Sequence, residues 1–323
     1  MGRRYAEQQE ALPEVTARQF ATLLILAVTW GCSFVLIKVM SEGGMGGPAI
    51  ASMRTALGFA TIVPIVLFNR GQLRQERRTW VSLAGLGLFN FAMPWTIFGV
   101  AAGYVPSGAA AIVNSTAPLW VTLITVFAMK QESVSGLKAV GVALGFAGVV
   151  VLMGNDLGNI GGAATLSLLM IMVATLCYGC SALYIRRTMA GVPPVVVAGG
   201  QIGFATLFLA PVALLSGSYS GVDWNGQVLL SAVLLGAIGS GFGPIAYMGL
   251  IQQVGALKAS VVTYLIPPVG VLLGWLLLNE QVGWNMIAGL GLILLGVSLT
   301  QELIKGFVRP VREPVVVTPS GGE

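Results

Sequence analysis

Few residues in this chain can do chemistry, and most of them stand inside apolar runs. Arg54 is the sole charge in the stretch 48–68. A cation inside a membrane span is expensive and so becomes a functional candidate, here for attracting an anionic group of a solute. Its place near one end of the stretch also allows a plainer reading, which comes first: a side chain that snorkels to the headgroups. Lys38 carries the same two readings in the same order. Glu132 and Glu280 each follow a proline (Pro118, Pro267) across a dozen or so largely apolar residues. They form a candidate gating pair at the two mouths of a passage, or simply mark helix ends.

The aromatics make the better binding surface. Trp30 and Tyr178 open the related stretches WGCSFVLIK and YGCSALYIR. Trp95 follows Pro94, Tyr247 follows Pro244, Tyr264 precedes Pro267 and Trp120 follows Pro118. Rings stack on apolar or cationic parts of a solute, while their polar edges hydrogen-bond it. A proline beside a ring frees a backbone carbonyl, tolerated at membrane depth only where protein or cavity water satisfies it. Ring and proline together therefore point to a cavity. Trp120 also has a lipid-facing reading, and Trp80, Trp224, Trp275 and Trp284 read as interfacial belts. Asn90 and Asn114 either bond a solute or join two helices. Ser33 and Ser181 either face the solute or bond their own i−4 carbonyls.

Composition decides the solvent. The chain has 323 residues, 56% hydrophobic and 9% charged, with mean hydropathy +0.86. A water-soluble domain carries about a quarter charged residues, so the surroundings are mainly lipid. The absence of histidine removes the usual zinc sites, His-based triads and most acid–base catalysis. Cys32, Cys177 and Cys180 are odd in number and lie in apolar runs, so no disulfide framework is read. The C-x-x-C of Cys177 and Cys180 has no second pair and no histidine to make a metal site. Neither enzyme nor cofactor is expected. The net charge of +5 sits in short loops between apolar runs, a topology signal and not a nucleic-acid footprint.

Ten runs are long enough to span a bilayer, about 20 residues each. They are 18–40, 48–68, 80–103, 107–129, 136–153, 164–184, 194–215, 228–251, 257–278 and 284–303. Residues 1–17 form a polar tail with no signal-peptide pattern. Residues 305–323, with three prolines and two adjacent glycines, read as disordered. Arg70, Arg74, Arg77, Arg78, Lys130, Lys138, Arg186, Arg187, Lys258, Lys305, Arg309 and Arg312 all fall on the side of the N-terminus. Glu42, Asp156, Asp223 and Glu280 fall on the other, and only Lys38 and Arg54 break the pattern. Basic loops stay in the cytoplasm, so both termini are expected there.

The chain is written twice, as residues 18–156 and 157–304. GFAT at 58–61 returns at 203–206, and APLW at 117–120 corresponds to IPPV at 266–269. Gly141 and Gly148 follow Glu132 at the offsets by which Gly289 and Gly296 follow Glu280. Five helices per unit is odd, so the second unit is inverted in the membrane. The fold class expected is an all-α membrane protein of ten helices in two inverted five-helix repeats. Gly141 and Gly145, Gly199 and Gly203, and Gly239 and Gly243 have the G-x-x-x-G spacing of close helix packing.

This doubled set, Pro, apolar run, Glu and Gly-rich helix, resembles the EamA family of the drug/metabolite transporter superfamily, over nearly the whole chain. Within it the sequence looks most like YddG-type exporters of amino acids, aromatic ones included. The resemblance implies a bacterial inner-membrane exporter with a central cavity between the repeats. Its partners would be lipid and a small solute, with no nucleic acid. The cavity candidates are then Trp30, Ser33, Asn90, Trp95, Asn114, Tyr178, Ser181, Tyr247 and Tyr264. With no Asp or Glu in the middle of any run, gradient-driven export is expected over proton coupling. The alternatives are another small polar metabolite or drug as cargo, antiport of phosphorylated sugars, or a non-transporting membrane scaffold.

Overall fold

The computed structural model describes residues 16–128, 136–154 and 162–301. Among them, nine helices are long and apolar enough to cross a membrane: α1 (Ala17–Glu42), α2 (Gly47–Phe68), α3 (Arg77–Ala101), α4 (Ser107–Val126), α5 (Gly136–Met153), α6 (Ala163–Thr188), α7 (Pro194–Leu215), α8 (Gly226–Ile251) and α9 (Val261–Leu278). A further apolar helix, α10 (Trp284–Thr300), is shorter at 17 residues and ends at Gln301, whose N–H donates to the Val297 carbonyl at 3.0 Å. Residues 1–15 of the expected N-terminal tail, the expected tail at 305–323, the loop at 155–161 and Glu132 lie outside the described residues.

Local chemistry explains the ends. Thr16 and Gln19 close a capping box at the start of α1: each side chain accepts from the other's backbone N–H, at 3.3 and 2.9 Å. Asn225 caps α8 by accepting from the N–H of Gln227 and Val228, both at 3.0 Å. The chain leaves α9 through Asn279 in the left-handed region (φ 54°), where asparagine is tolerated better than most residues. The flanks of the helices present large apolar side chains outward: Ile25, Leu207 and Ile287 are 65%, 64% and 62% exposed. Hydrocarbon is the solvent that suits them.

Glycines of the two halves of the chain bring helices into close contact. In α5 and α10, a Cβ on Gly148 would lie 2.9 Å from the Gly289 carbonyl oxygen. One on Gly289 would lie 2.8 Å from the Gly148 oxygen, and Gly141 and Gly296 touch in the same way. Glycines at equal offsets in the two halves thus contact each other crosswise. In α2 and α7 the same holds less strictly, with Gly58 against Ile202 and Gly203 against Phe59. Backbones approach this closely only without side chains between them.

Three helices depart from regularity where prolines follow. In α3 the turns widen to π geometry over Gly87–Ala92, just before Pro94. In α8 they widen over Leu234–Phe242, just before Pro244. Proline removes an N–H and pushes on the carbonyl four residues back, and a wider turn relieves both. α4 instead breaks between Asn114 and Ala117, ahead of Pro118. There Ser115 and Thr116 donate to the carbonyls of Ile112 and Val113, at 2.6 and 2.8 Å, competing with the helix ladder.

Candidate functional site

These irregular segments surround one space. A cavity of about 470 Å³ lies between the repeats, walled by α1, α2, α3 and α4 of the first and α6, α8, α9 and α10 of the second. Its size falls within the range of small-molecule sites, about 300–1,000 Å³. Of the nine cavity candidates, eight line it: Trp30, Ser33, Asn90, Trp95, Asn114, Tyr178, Tyr247 and Tyr264. Ser181 is buried at 3% exposure and is outside the lining. It shares a motif with Ser33 but not its surroundings.

Arg54 lines the cavity as well, which corrects the expectation that it snorkels. Its Nε donates to Ser240 Oγ at 2.8 Å, and its Cζ stands 3.7 Å from the centroid of the Trp95 ring. Ser240 in turn donates to the Leu235 carbonyl at 2.9 Å, inside the widened turn of α8. The guanidinium is thus held at one edge and over one face. No bond within the protein engages its terminal amino groups among the described residues, and no buried side-chain nitrogen or oxygen there lacks a partner. Those groups therefore open onto the cavity. No Asp or Glu lines it among the described residues. The repeat places Gly199 of α7 where α2 has Arg54, so the charge belongs to one repeat only.

The rings pair across the repeats. Trp30 of α1 meets Tyr247 of α8 edge-on, centroids 5.3 Å apart. Tyr178, its counterpart in α6, stacks on Phe98 of α3 at 6.4 Å. Each repeat's aromatic-Gly-Cys-Ser motif thus aims a ring at the proline-bearing helix of the other. Trp30 also donates its indole N–H to the Gly239 carbonyl, 3.0 Å, one of the acceptors in the irregular part of α8.

The two asparagines divide. Asn90 donates to the Gln201 side chain of α7 at 2.9 Å, so it joins two helices at the cavity wall. Asn114, at the break in α4, makes no side-chain hydrogen bond among the described residues and lines the cavity. Ser33 bonds its own i−4 carbonyl, Thr29, at 3.2 Å. Tyr264 donates to Gln301 at 3.1 Å, tying α9 to the end of α10. Trp120 faces neither lipid alone nor the cavity: it donates to Thr175 at 3.1 Å and packs edge-on against Phe146 at 4.9 Å.

The charged candidates at the ends hold helix termini. Lys38 also departs from snorkelling. Only 17% exposed, it donates to the Ala102 carbonyl at 2.7 Å and lies 3.8 Å from Glu42. It thereby ties α1 to the C-terminal end of α3. Glu280 accepts from Ser107 N, Ser107 Oγ and Gly108 N at 2.6, 3.0 and 3.2 Å, capping α4 from the other repeat. Backbone bonds Gly46 N to Ser218 O and Asp223 N to Gly43 O, both 2.9 Å, join the same end across the repeats. Beneath them, Phe34 and Phe98 meet edge-on at 5.6 Å and roof the cavity. The end away from the termini is therefore shut.

Phe34, Phe91, Phe98, Ser240 and Thr263 also line the cavity and were not singled out from the sequence. Phenylalanine and serine are common in membrane helices, so only their faces distinguish them. Ser240 had one local signal, its place in the glycine-flanked run before Pro244.

Comparison with known proteins gives this bundle a family. Residues 19–154, and again residues 165–301, match the EamA-like transporter family. The chain belongs to that family. This EamA-like transporter is 29% identical over 278 residues to an uncharacterized transporter of Archaeoglobus fulgidus, covering 86% of this chain and 96% of that one. It is 28% identical over 308 residues to the Escherichia coli K12 protein named as the uncharacterized inner membrane transporter YedA, covering 92% and 95%. The Bacillus subtilis uncharacterized transporter YoaV is 24% identical over 279 residues, covering 85% and 94%. A solved crystal structure superposes with a TM-score of 0.59 at 20% identity, over 90% of this chain and 99% of that one, a likeness of fold. The EamA-like transporter is thus a multi-pass membrane protein of the transport class.

Proposed function

We propose that this protein exports amino acids, aromatic ones among them, across a bacterial inner membrane, in the manner of YddG-type exporters. The observation that carries this reading is the cavity between the repeats, ringed by aromatics and holding one guanidinium, Arg54, with its terminal amino groups open to the space. A carboxylate is the natural partner of that fork, and the rings suit an apolar or aromatic body. Both termini lie in the cytoplasm, by the loop distribution of Lys and Arg. Rocking of one repeat against the other exposes the cavity to each side in turn. Release would require opening the end shut by Lys38, Glu280 and the Phe34–Phe98 roof.

Gradient-driven transport is favoured over proton coupling. No carboxylate lines the cavity among the described residues, and Glu280 is engaged as a helix cap by three donors. A single cation is thin provision for a phosphorylated solute, which draws several. The decisive experiment is solute counterflow in proteoliposomes with a panel of labelled amino acids. Saturable flux of phenylalanine, tyrosine or tryptophan is expected. Flux confined to other metabolites would replace the substrate assignment, and no saturable flux of any solute would leave the scaffold reading.

A further inference from the structure

The cavity is charged asymmetrically, and that asymmetry bears on which part of a solute is recognised. A zwitterionic amino acid presents a carboxylate and an ammonium a few ångströms apart. The cavity has a built partner for the first. Arg54 is fixed by Ser240 at 2.8 Å and by the Trp95 face at 3.7 Å, with its terminal nitrogens unengaged. A guanidinium held this way loses little freedom on binding, and it takes a carboxylate through two parallel bonds.

For the ammonium there is no acidic partner. No Asp or Glu lines the cavity among the described residues. The carbonyl of Gly239 accepts from Trp30, and the Leu235 carbonyl accepts from Ser240. The neutral groups that remain include the Asn114 amide and the faces of the rings. The amide takes a hydroxyl or another amide as readily as an ammonium, and the rings take an apolar or aromatic body as well as a cation, so none of them selects for the ammonium. An ammonium next to the bound carboxylate would also sit close to Arg54, where like charges repel.

We propose that this cavity recognises its solute by the carboxylate and the ring and leaves the ammonium unread, so that desamino aromatic monocarboxylates are ligands on a par with aromatic amino acids. The proposal rests on the reading that this cavity is the solute site. Its substrate class is the aryl-bearing organic monoanion, with aromatic amino acids as the members that also carry an amine.

The test compares three probes with one ring: 3-phenylpropionate (acid only), phenylalanine (acid and amine) and phenethylamine (amine only). Binding to the purified full-length protein is read by calorimetry, and phenylalanine counterflow is measured separately. The acid is expected to bind within about threefold of phenylalanine or better, and the amine at least tenfold more weakly. Arg54→Gln is expected to weaken the acid at least tenfold and to leave the amine no weaker, since a like charge is removed; the three-probe comparison on the unaltered protein stands if that variant misfolds. Amine binding within threefold of the acid overturns the proposal, as does phenylalanine binding more than tenfold tighter than the acid, or no binding of the acid. If phenylalanine is carried while the amine competes equally, this proposal fails and the export reading survives. If the acid binds through Arg54 while no amino acid is carried, the export reading fails and this one survives.

Discussion

The guanidinium carbon of Arg54 stands 3.7 Å from the centroid of the Trp95 ring, one residue from α2 and the other from α3. The ring supplies electron density to a cation that has no acid beside it among the described residues. Such a contact is worth about 0.5–2 kcal/mol. Trp95→Ala is therefore expected to raise the KM for a carboxylate solute roughly 2–30-fold through misplacement of Arg54. Trp95→Phe, which keeps a weaker ring, should fall between. Arg54→Lys keeps the charge but loses the two-pronged geometry, so its KM should rise nearly as far as that of Arg54→Gln. Counterflow kinetics in proteoliposomes measure all four.

The asparagines should separate stability from binding. Asn90 joins α3 to Gln201, which is 3% exposed. Asn90→Ala leaves the Gln201 amide oxygen a buried acceptor without its donor, a loss of about 1–3 kcal/mol. Its melting temperature in detergent should drop. Asn114 makes no side-chain hydrogen bond among the described residues, so Asn114→Ala should melt near the unaltered protein while its solute KM changes. Equal melting losses in both variants would contradict this division.

Glu280 is expected to act as a cross-repeat clamp. Glu280→Ala deprives Ser107 and Gly108 of their acceptor at the start of α4. Loss of such a cap destabilises by roughly 0.5–2 kcal/mol. The shut end should then open more often. A cysteine introduced as Ser218→Cys, near the Gly46–Ser218 backbone bond, should react faster with an impermeant maleimide in the Glu280→Ala background. Glu280→Gln, which retains one acceptor, should label at an intermediate rate.

The glycine crossing of α5 and α10 sets a packing prediction. A Cβ at position 148 meets the Gly289 carbonyl oxygen at 2.9 Å, and backbone cannot yield as a side chain does. Gly148→Val is expected to destabilise by about 1–3 kcal/mol, seen as early aggregation on heating in fluorescence-detected size exclusion. Gly249→Ala, where a Cβ meets no atom within 4 Å, should leave the protein unchanged in the same assay.

Orientation has its own check. Green fluorescent protein fused to either terminus should fluoresce, and alkaline phosphatase fused there should stay inactive, since both reporters would remain in the cytoplasm. Opposite results at the two ends would break the even count of crossings on which the shut and open ends are assigned.

The sequence by itself determined the solvent, the helices and the duplication. Apolar runs, glycine-and-proline breaks and recurring motifs depend on neighbours along the chain, so they are legible without a fold. The recurring glycines 141/289 and 148/296 marked the repeat, but that they meet across α5 and α10 came only from the packed structure. Which way Arg54, Lys38, Trp120 and Ser181 point was decided only by the tertiary structure. A helix nearly uniform in apolarity has no preferred face until its neighbours pack, and the π-widened turns of α3 and α8 rotate the residues after them out of ideal register. Arg54 turned inward because Ser240 and Trp95, contributed by α8 and α3, meet it there. No local pattern in the sequence encodes that meeting.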